Sequence, residues 1–232
     1  MKNDSNPLPP GQFVHSEFPR FGMTPFAERF PTQLDGPQIT IRGEVESSLK
    51  LVEQFNQLDR VEQTSDFHCV TTWTVQSLQW EGYRFSDVYE RLIVPLAQPA
   101  KSADYITLVG QDGYRSSLPL AALMKADVLL ADRLNGAPLS IEHGAPIRLV
   151  APAHYGYKNV KHLKRIELHS GYRSFHPWMF RFMDHPRGRV ALEERGTLFP
   201  NWLLRPIYRR LIPIATKRFK EGMADYNNRP KA

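Results

Sequence analysis

Residues 142–168 read EHGAPIRLVAPAHYGYKNVKHLKRIEL and join a short apolar strand to a basic stretch. The strand is predicted from Arg148 to Val150, and the turn that follows begins at Gly156. Imidazole, guanidinium and ammonium groups therefore share one strand–turn–strand unit, in which glycine lets the backbone approach a ligand. This stretch predicts an anion pocket with phosphate as its occupant. The alternative is a basic face in contact with water.

The chain has one cysteine, Cys69, within DFHCVTTW at residues 66–73. A lone cysteine commonly acts as a small buried hydrophobic residue. Its thiolate is also a ligand that suits a soft metal. A single cysteine excludes an internal disulfide, a cysteine-rich zinc site and an iron–sulfur cluster held by four thiolates.

These two segments together resemble the sulfite oxidase family of molybdopterin enzymes over roughly residues 11 to 170. The resemblance is carried by Cys69 and, downstream, by an H-G-x-P-x-R-x-x-x-P run followed by G-x-K-x-x-K, which here comprises His143, Gly144, Pro146, Arg148, Pro152, Gly156, Lys158 and Lys161. It implies an α+β fold that is rich in strands and short helices. It also implies a molybdopterin cofactor with one dithiolene, and two-electron oxygen-atom transfer at molybdenum.

The resemblance assigns roles to individual residues. Cys69 becomes the metal ligand, and the hydroxyl of Tyr114 points at the substrate oxygen; the alternative for Tyr114 is a ring that packs on the core. The residues expected to bind the cofactor are Ser16, Pro19, Arg20, His68, Gly110, His143, Arg148, Asn159, Val160 and Lys161. Among these, a surface arm remains the alternative for residues 16–20, and a structural histidine for His68.

The chain divides into an N-terminal arm at residues 1–30, a molybdopterin-binding domain at 31–170 and a basic helical extension at 171–232. Residues 187–232 carry eleven Lys or Arg and four Asp or Glu, a net charge of +7, whereas the whole chain carries +6. Pro206 and Pro213 predict two short helices in this extension. The extension either packs on the domain as a helical cover or docks on an anionic membrane or an acidic electron-transfer partner.

Periodicity predicts the remaining elements. Strands are expected at residues 39–45, 105–109 and 128–132 and around Cys69, with a hairpin at Asn135-Gly136. Helices are expected at 49–58 and 120–124, and one that begins after a turn, with Ser86 as its N-cap, and runs to Leu92.

Composition bounds the function further. Hydrophobic residues make up 41% of the 232 residues, which is enough for a core, and no apolar window approaches the length of a membrane span. We expect a cytoplasmic monomer that acts on a small oxo-donor or oxo-acceptor and binds no nucleic acid. Because no haem-binding domain is recognisable, electrons would be exchanged with a separate carrier protein. The alternative is a non-catalytic pterin-binding or anion-binding module whose basic tail recruits a membrane surface or nucleic acid.

Overall fold

The computed structural model describes residues 7–175, 181 and 183–229, which form two β-sheets, short helices and one long C-terminal helix. The strands are β1 (Phe13–Val14), β2 (Ile39–Gly43), β3 (Leu49–Leu51), β4 (Val61–His68), β5 (Trp73–Arg84), β6 (Tyr105–Gly110), β7 (Arg115–Pro119), β8 (Leu129–Leu134), β9 (Ala137–Pro138), β10 (Arg148–Val150) and β11 (Leu163–His169). The helices are α1 (Phe85–Val88), α2 (Val94–Ala97), α3 (Leu120–Leu123) and α4 (Asn201–Asn227), and a π-helical stretch at Tyr89–Ile93 joins α1 to α2. Single 3-10 turns lie at Thr24–Phe26, Glu53–Gln57 and Gly156–Lys158. The predicted α+β class is confirmed.

The first sheet is organised around the long strand β5. Strands β4 and β8 pair antiparallel with β5, and β1 adds to its beginning in parallel. Strands β9 and β10 pair with β8. Because His68 lies opposite Thr74 in the β4–β5 register, the four residues 69–72 close this hairpin at one end of the sheet.

The second sheet has the order β3-β2-β11-β6-β7, with β2 and β11 parallel and the other pairs antiparallel. Leu163, the first residue of β11, lies opposite Gly110, the last residue of β6. This register brings the segment that precedes β11 beside the β6–β7 turn, and the backbone N–H of Gln111 donates to the carbonyl of His162 at 2.8 Å. Pairing of β6 with β11 therefore brings two predicted site residues, Gly110 and Lys161, close together.

The main core lies between the two sheets. Leu130 and Leu149 of the first sheet share one buried cluster with Ile106 and Ile166 of the second. Their sequence neighbours on β8 and β10 point to the opposite face, because successive side chains of a strand alternate between its two sides. That second face carries a smaller cluster, which contains Cys69, Trp73, Trp80, Leu129 and Val150.

Three of the local predictions were wrong. Residues 49–58 form β3 and a 3-10 turn rather than a helix, because Leu49 to Leu51 pair with β2. Residues 69–72 form a turn rather than a strand, although strands flank them on both sides. Trp80 lies inside β5, and the helix begins at Phe85 with Arg84 rather than Ser86 at the N-cap position. Strand pairing outweighs local propensity in each case.

The C-terminal extension contains one helix of 27 residues, so the prediction of two short helices was also wrong. Pro206 and Pro213 both lie inside α4 and both are exposed. Each proline leaves a backbone carbonyl without an intrahelical partner, at Trp202 and at Arg209, and these two residues are exposed as well. Water can satisfy those carbonyls, while Leu204, Tyr208, Ala215, Phe219 and Gly222 bury the other face. Among the described residues, no helix combines the length and the apolar character needed to span a lipid bilayer.

The N-terminal arm lies between the first sheet and α4. The ring of Phe21 stacks on Phe219 with centroids 6.4 Å apart, and Phe30 stacks on Tyr226 at 4.2 Å. A Cβ atom at Gly222 would collide with the backbone carbonyl of Ala27, so glycine is needed where helix and arm cross. The two ends of the chain therefore pack against each other over the end of the first sheet.

Replacing Pro213 by alanine tests the account of α4. Pro213→Ala should raise the free energy of unfolding by about 1–2 kcal/mol, because the restored backbone hydrogen bond outweighs the added entropy of the unfolded chain. Denaturant titration followed by circular dichroism measures the change. The control is Pro200→Ala, since Pro200 precedes the first helical turn and breaks no intrahelical hydrogen bond. Equal effects of the two substitutions would contradict the account.

Candidate active site

Cys69 is the first residue of the turn between β4 and β5. The carbonyl of Cys69 accepts a hydrogen bond from the N–H of Thr72 at 3.1 Å, and its own N–H donates to the carbonyl of Trp73 at 2.8 Å. Thr72 adopts a left-handed conformation with φ of 79°. The hairpin therefore fixes the backbone on both sides of the thiol.

Segments from both ends of the chain hold this turn in place. The guanidinium of Arg195, which is fully buried, donates to the carbonyls of Val70 at 2.5 Å and Pro10 at 3.0 Å. The amide of Gln12 donates to the carbonyl of Cys69 at 3.1 Å. The position of the thiol thus depends on residues far away in the sequence.

The thiol itself is 7% exposed and lies 3.0 Å from the hydroxyl of Thr71. Burial raises the pKa of Cys69, and the Thr71 hydrogen bond and the charges of Arg195 and Lys161 offset part of that rise. A bound metal ion would remove the proton, since a coordinating thiol is deprotonated.

Arg148 is buried on β10 and has no ion-pair partner among the described residues. Within that part of the chain its guanidinium donates to backbone carbonyls, those of His143 at 2.9 Å, Leu149 at 3.2 Å and Asn159 at 3.4 Å. Its Cζ lies 5.4 Å from the ring centroid of Phe67. Burial lowers the pKa of Arg148 to about 9, because removing the charged guanidinium from water is unfavourable. The charged side chain therefore reduces the stability of the folded protein.

Lys161 and His143 lie beside Arg148. Lys161 donates to the carbonyl of Glu142 at 2.8 Å, and burial together with the charges of Arg148 and Arg20 lowers its pKa to about 7. Burial and the two neighbouring cations lower the pKa of His143 to about 4, so this imidazole is neutral near pH 7. Its Nδ1 is buried and has no hydrogen-bond partner among the described residues.

Two glycines allow these segments to approach one another. Gly144 has a φ of 111°, and a Cβ atom there would lie 3.1 Å from Cβ of Arg148 and 3.2 Å from Cβ of Lys161. A Cβ atom at Gly110 would lie 2.6 Å from the carbonyl oxygen of Lys161. Larger residues at these two positions would push Lys161 away from Arg148.

One cavity of about 270 Å³ connects Cys69 with Lys161. It lies between the β4–β5 turn, the β6–β7 turn, the segment 156–162, the N-terminal arm and α4. Its lining residues are Phe18–Phe26, Phe67, Cys69–Thr71, Trp73, Asp112, Tyr114, Gly156, Tyr157, Asn159, Lys161, His162, Met183, Leu211, Ile214, Ala215 and Phe219.

Six of the predicted site residues line this cavity, namely Cys69, Tyr114, Pro19, Arg20, Asn159 and Lys161. His143 and Arg148 lie behind two phenylalanine rings of the lining. The ring of Phe18 stacks on His143 with centroids 4.7 Å apart and an angle of 3°, and Phe67 contacts Arg148. Cys69 and Lys161 therefore line the same cavity, whereas the rings of Phe18 and Phe67 separate His143 and Arg148 from it.

Other predicted residues lie away from the lining. Ser16 is exposed, and Val160 is buried in the core between the sheets. The Nδ1 atom of His68 lies 2.9 Å from the hydroxyl of Thr74, an arrangement typical of a structural histidine. Arg20 lines the cavity, but its guanidinium already donates to carbonyls of the arm, including that of Ala27 at 2.6 Å.

Tyr114 lines the cavity, and its hydroxyl donates to the carbonyl of Tyr157 at 2.7 Å. Burial and the charges of Asp184 and Asp112 raise the pKa of Tyr114. The phenol therefore stays protonated and keeps a hydrogen to donate. The carbonyl of Tyr157 holds that hydrogen in the structure.

Sequence reasoning missed three residues that contribute to the site. Phe18 covers His143, Thr71 lies against the thiol, and His162 lines the cavity with its Nδ1 2.6 Å from the carbonyl of Ala145. Thr71 lies within residues 66–73 and His162 within residues 142–168. Their proximity to Cys69 and Lys161 in the sequence could therefore have identified them as site residues. Nothing local connects Phe18 to residue 143.

The electrostatics of this region fit an anionic group. Arg148 and Lys161 are cations without a carboxylate hydrogen bond among the described residues, and His143 has a buried ring nitrogen without a partner. An anion would offset the cost of burying both charges and would accept hydrogen bonds from these groups. Among the described residues, no group of three or more His, Cys, Asp or Glu could hold a metal ion. A metal at Cys69 would therefore need further ligands from a cofactor.

Comparison with known proteins agrees with this geometry. Residues 28–176 match the family model described as the oxidoreductase molybdopterin binding domain. The chain belongs to this family. The predicted relationship to the sulfite oxidases is confirmed, and the protein is a molybdenum-dependent oxidoreductase whose cofactor is molybdopterin.

Several relatives illustrate the range of this family. The chain is 32% identical over 170 residues to the uncharacterized oxidoreductase YuiH of Bacillus subtilis (strain 168), covering 72% of this chain and 81% of YuiH. It is 29% identical over 198 residues to the protein-methionine-sulfoxide reductase catalytic subunit MsrP of Campylobacter jejuni, covering 72% of this chain and 64% of that protein. It is 34% identical over 118 residues to the mitochondrial sulfite oxidase of Mus musculus, covering 47% of this chain and 21% of the oxidase.

Lys161 should make anion binding depend on pH. Sulfate does not titrate between pH 6 and 8, whereas the charged fraction of Lys161 falls because its pKa is about 7. The dissociation constant of sulfate for cofactor-free protein should therefore rise about tenfold over this range. Calorimetric titration measures it.

The control for this titration is Lys164→Ala, since Lys164 lies outside the cavity lining. Lys161→Ala should bind sulfate weakly at both pH values, whereas the control should keep the full pH dependence. A sulfate affinity of the unaltered protein that stays constant from pH 6 to 8 would contradict the role given to Lys161.

Proposed function

We propose that the protein catalyses two-electron oxygen-atom transfer, with Cys69 as the protein ligand of molybdenum and with His143, Arg148 and Lys161 holding the phosphate of the pterin. One observation carries this proposal: the buried Cys69 and Lys161, which lies beside Arg148, line the same cavity. The thiol suits a soft metal, and the two cations suit a phosphate.

When bound, molybdopterin supplies a metal that changes its oxidation state by two electrons and has a position open to an oxygen atom. In the reducing direction, the oxygen–sulfur or oxygen–nitrogen bond of the substrate breaks, and two electrons and two protons convert the oxygen to water. In the oxidising direction, water supplies the oxygen, and two electrons and two protons are released.

The residues of the chain position these components. Arg148 and Lys161 bind the phosphate through charge-assisted hydrogen bonds, and His143 contributes its free ring nitrogen. Asn159 holds the surrounding turn, since its side chain accepts from the N–H of Ala151 at 2.6 Å and donates to two carbonyls. The turn at Cys69, held by Arg195, fixes the thiol relative to these groups.

Tyr114 has a different role in this proposal. Its hydroxyl is protonated and lies at the cavity wall, where a substrate oxygen can compete with the carbonyl of Tyr157 for the hydrogen. Donation to that oxygen would stabilise the negative charge that develops as the bond to oxygen breaks or forms.

Electrons reach the site from a separate carrier protein in this proposal. The MsrP relatives are named catalytic subunits, which supports a division of labour between the chain that holds molybdopterin and an electron-transfer partner. The single cysteine suits a reducing compartment, and we propose that the protein works in the cytoplasm as a monomer.

Cys69→Ser tests the metal ligand. The variant should lose most of the molybdenum that the unaltered protein binds, because a serine hydroxyl is a much poorer ligand for a soft metal than a thiolate. Elemental analysis measures the metal. The pterin content of the same sample is the internal control, since the phosphate site does not include the thiol. Full retention of molybdenum would remove Cys69 from the proposal.

Tyr114→Phe tests the hydrogen bond to the substrate. The variant should lower kcat/KM about 100-fold, since loss of one donor to a developing oxyanion has an effect of this size. Dye-coupled assays with methyl phenyl sulfoxide and with sulfite measure the rate, and molybdenum content should be unchanged. The matched control is Tyr208→Phe, which removes another buried hydroxyl that donates to a backbone carbonyl, that of Arg195 at 3.3 Å. Similar rates for the two variants would argue that Tyr114 acts only through its ring.

A further inference from the structure

The mouth of the cavity is formed by two segments outside residues 28–176, which match the family model. On one side lie residues 22–25 of the N-terminal arm, where Thr24 and Pro25 are exposed. On the other side lies Ile214 of α4, which is 60% exposed. Deeper in the same cavity, Cys69 is 7% exposed and Trp73 is 1% exposed. The family domain thus forms the deep part of the cavity, and the N-terminal arm and α4 form its entrance.

The wall that α4 contributes is apolar. Leu211, Ile214, Ala215 and Phe219 line the cavity, and their spacing of three and four residues places them on one face of the helix. The arm faces them with further apolar residues of the lining, Phe21, Met23, Pro25 and Phe26. A molecule that approaches Cys69 from outside therefore passes between two apolar surfaces.

Three of the cations near this entrance already have partners. Arg218 of α4 pairs with Glu28 at 2.5 Å, and Arg209 donates to the hydroxyl of Thr72 at 3.3 Å. Arg20 donates to carbonyls of the arm. Lys161 and Arg20 are the lysine and arginine side chains among the described lining residues, and the proposed function assigns Lys161 to the cofactor phosphate.

We infer that the face of α4 formed by Leu211, Ile214 and Ala215 is the specificity-determining wall of the site. This wall selects a neutral organic S-oxide or N-oxide that carries an apolar substituent, and it disfavours an inorganic oxyanion. The inference rests on the proposed function, because it concerns the substrate of that same site.

The selection follows from desolvation. The substituent of a neutral oxide gains by leaving water for the apolar wall, by roughly 25 cal/mol for each Å² buried. Its single polar bond points inward, toward the region of Cys69 and Tyr114. An inorganic oxyanion would lose hydration between the same walls, where the side chains that α4 contributes to the lining are all apolar.

A binding experiment tests this wall without turnover when the sulfoxides are titrated into oxidised holoenzyme and sulfite into reduced holoenzyme, since neither form can exchange electrons with that ligand. Ala215→Leu fills the wall and should raise the dissociation constant of methyl phenyl sulfoxide about tenfold, with a change below about threefold for dimethyl sulfoxide, whose substituents are smaller. The matched control is Ala224→Leu, which makes the same change at an exposed position of α4 outside the lining. Calorimetric titration measures all three proteins.

If Ala215→Leu fails to fold, a second variant tests the same wall. Ile214→Lys places a charge at an exposed position of the mouth, so it should weaken binding of methyl phenyl sulfoxide and tighten binding of sulfite. Its control is Trp202→Lys, at a position of the same helix that is 73% exposed and lies outside the lining. This control should alter neither affinity.

Three results would overturn the inference: equal effects of Ala215→Leu on both sulfoxides, equal effects of a variant and its control, or unaltered protein that binds sulfite more tightly than methyl phenyl sulfoxide. Failure of the proposed function has a different signature. Molybdenum-loaded protein would then turn over neither sulfoxides nor sulfite, while the binding preference set by α4 would persist.

Discussion

The burial of two cations that have no carboxylate partner among the described residues is the main constraint on the arrangement of this molecule. Arg148 is fully buried against aromatic rings, and Lys161 lies beside it, so each lowers the pKa of groups around it. Such an arrangement is costly in a folded protein unless an anion completes it. Backbone carbonyls offset part of this unfavourable free energy. They accept every hydrogen bond that the two side chains donate to the described residues, and they belong to His143, Leu149, Asn159 and Glu142.

The thiol lies in a different electrostatic setting from these cations. Burial alone would keep Cys69 protonated and unreactive, and the positive charges of Lys161 and Arg195 act in the opposite direction. A metal ion bound there would add to that effect and favour the thiolate. In the proposed site, an apolar pocket would protect the sulfur, the cationic region would hold the cofactor, and the cavity that both line would admit the substrate.

The ends of the chain form the entrance to the cavity. The arm is held between the first sheet and α4 by aromatic stacking and by Arg20, whose guanidinium lies 4.2 Å from the ring centroid of Phe30 and 5.0 Å from that of Phe219. Helix α4 remains continuous through two prolines because its buried stripe packs on the protein and its strained turns face water. The inferred role of α4 assigns substrate choice to these two segments, apart from the proposed cofactor site.

The sequence by itself determined the family and the class of the fold. Cys69 and the run from His143 to Lys161 identified the family because two separated motifs resemble it in the right order, whereas each motif alone has an ordinary structural explanation. Strands β6, β8 and β10 and the Asn135-Gly136 hairpin also followed from local periodicity and turn residues.

Only the tertiary structure decided which residues meet. Leu49 to Leu51 became a strand because β2 offers them an edge, and α4 stayed whole because packing on one face outweighs two missing hydrogen bonds on the other. Phe18 reached His143, and Arg195 reached the turn at Cys69, across more than 120 residues of chain in each case. Local sequence sets the chemical type of a side chain, but its partners depend on how distant segments bury their apolar surface together.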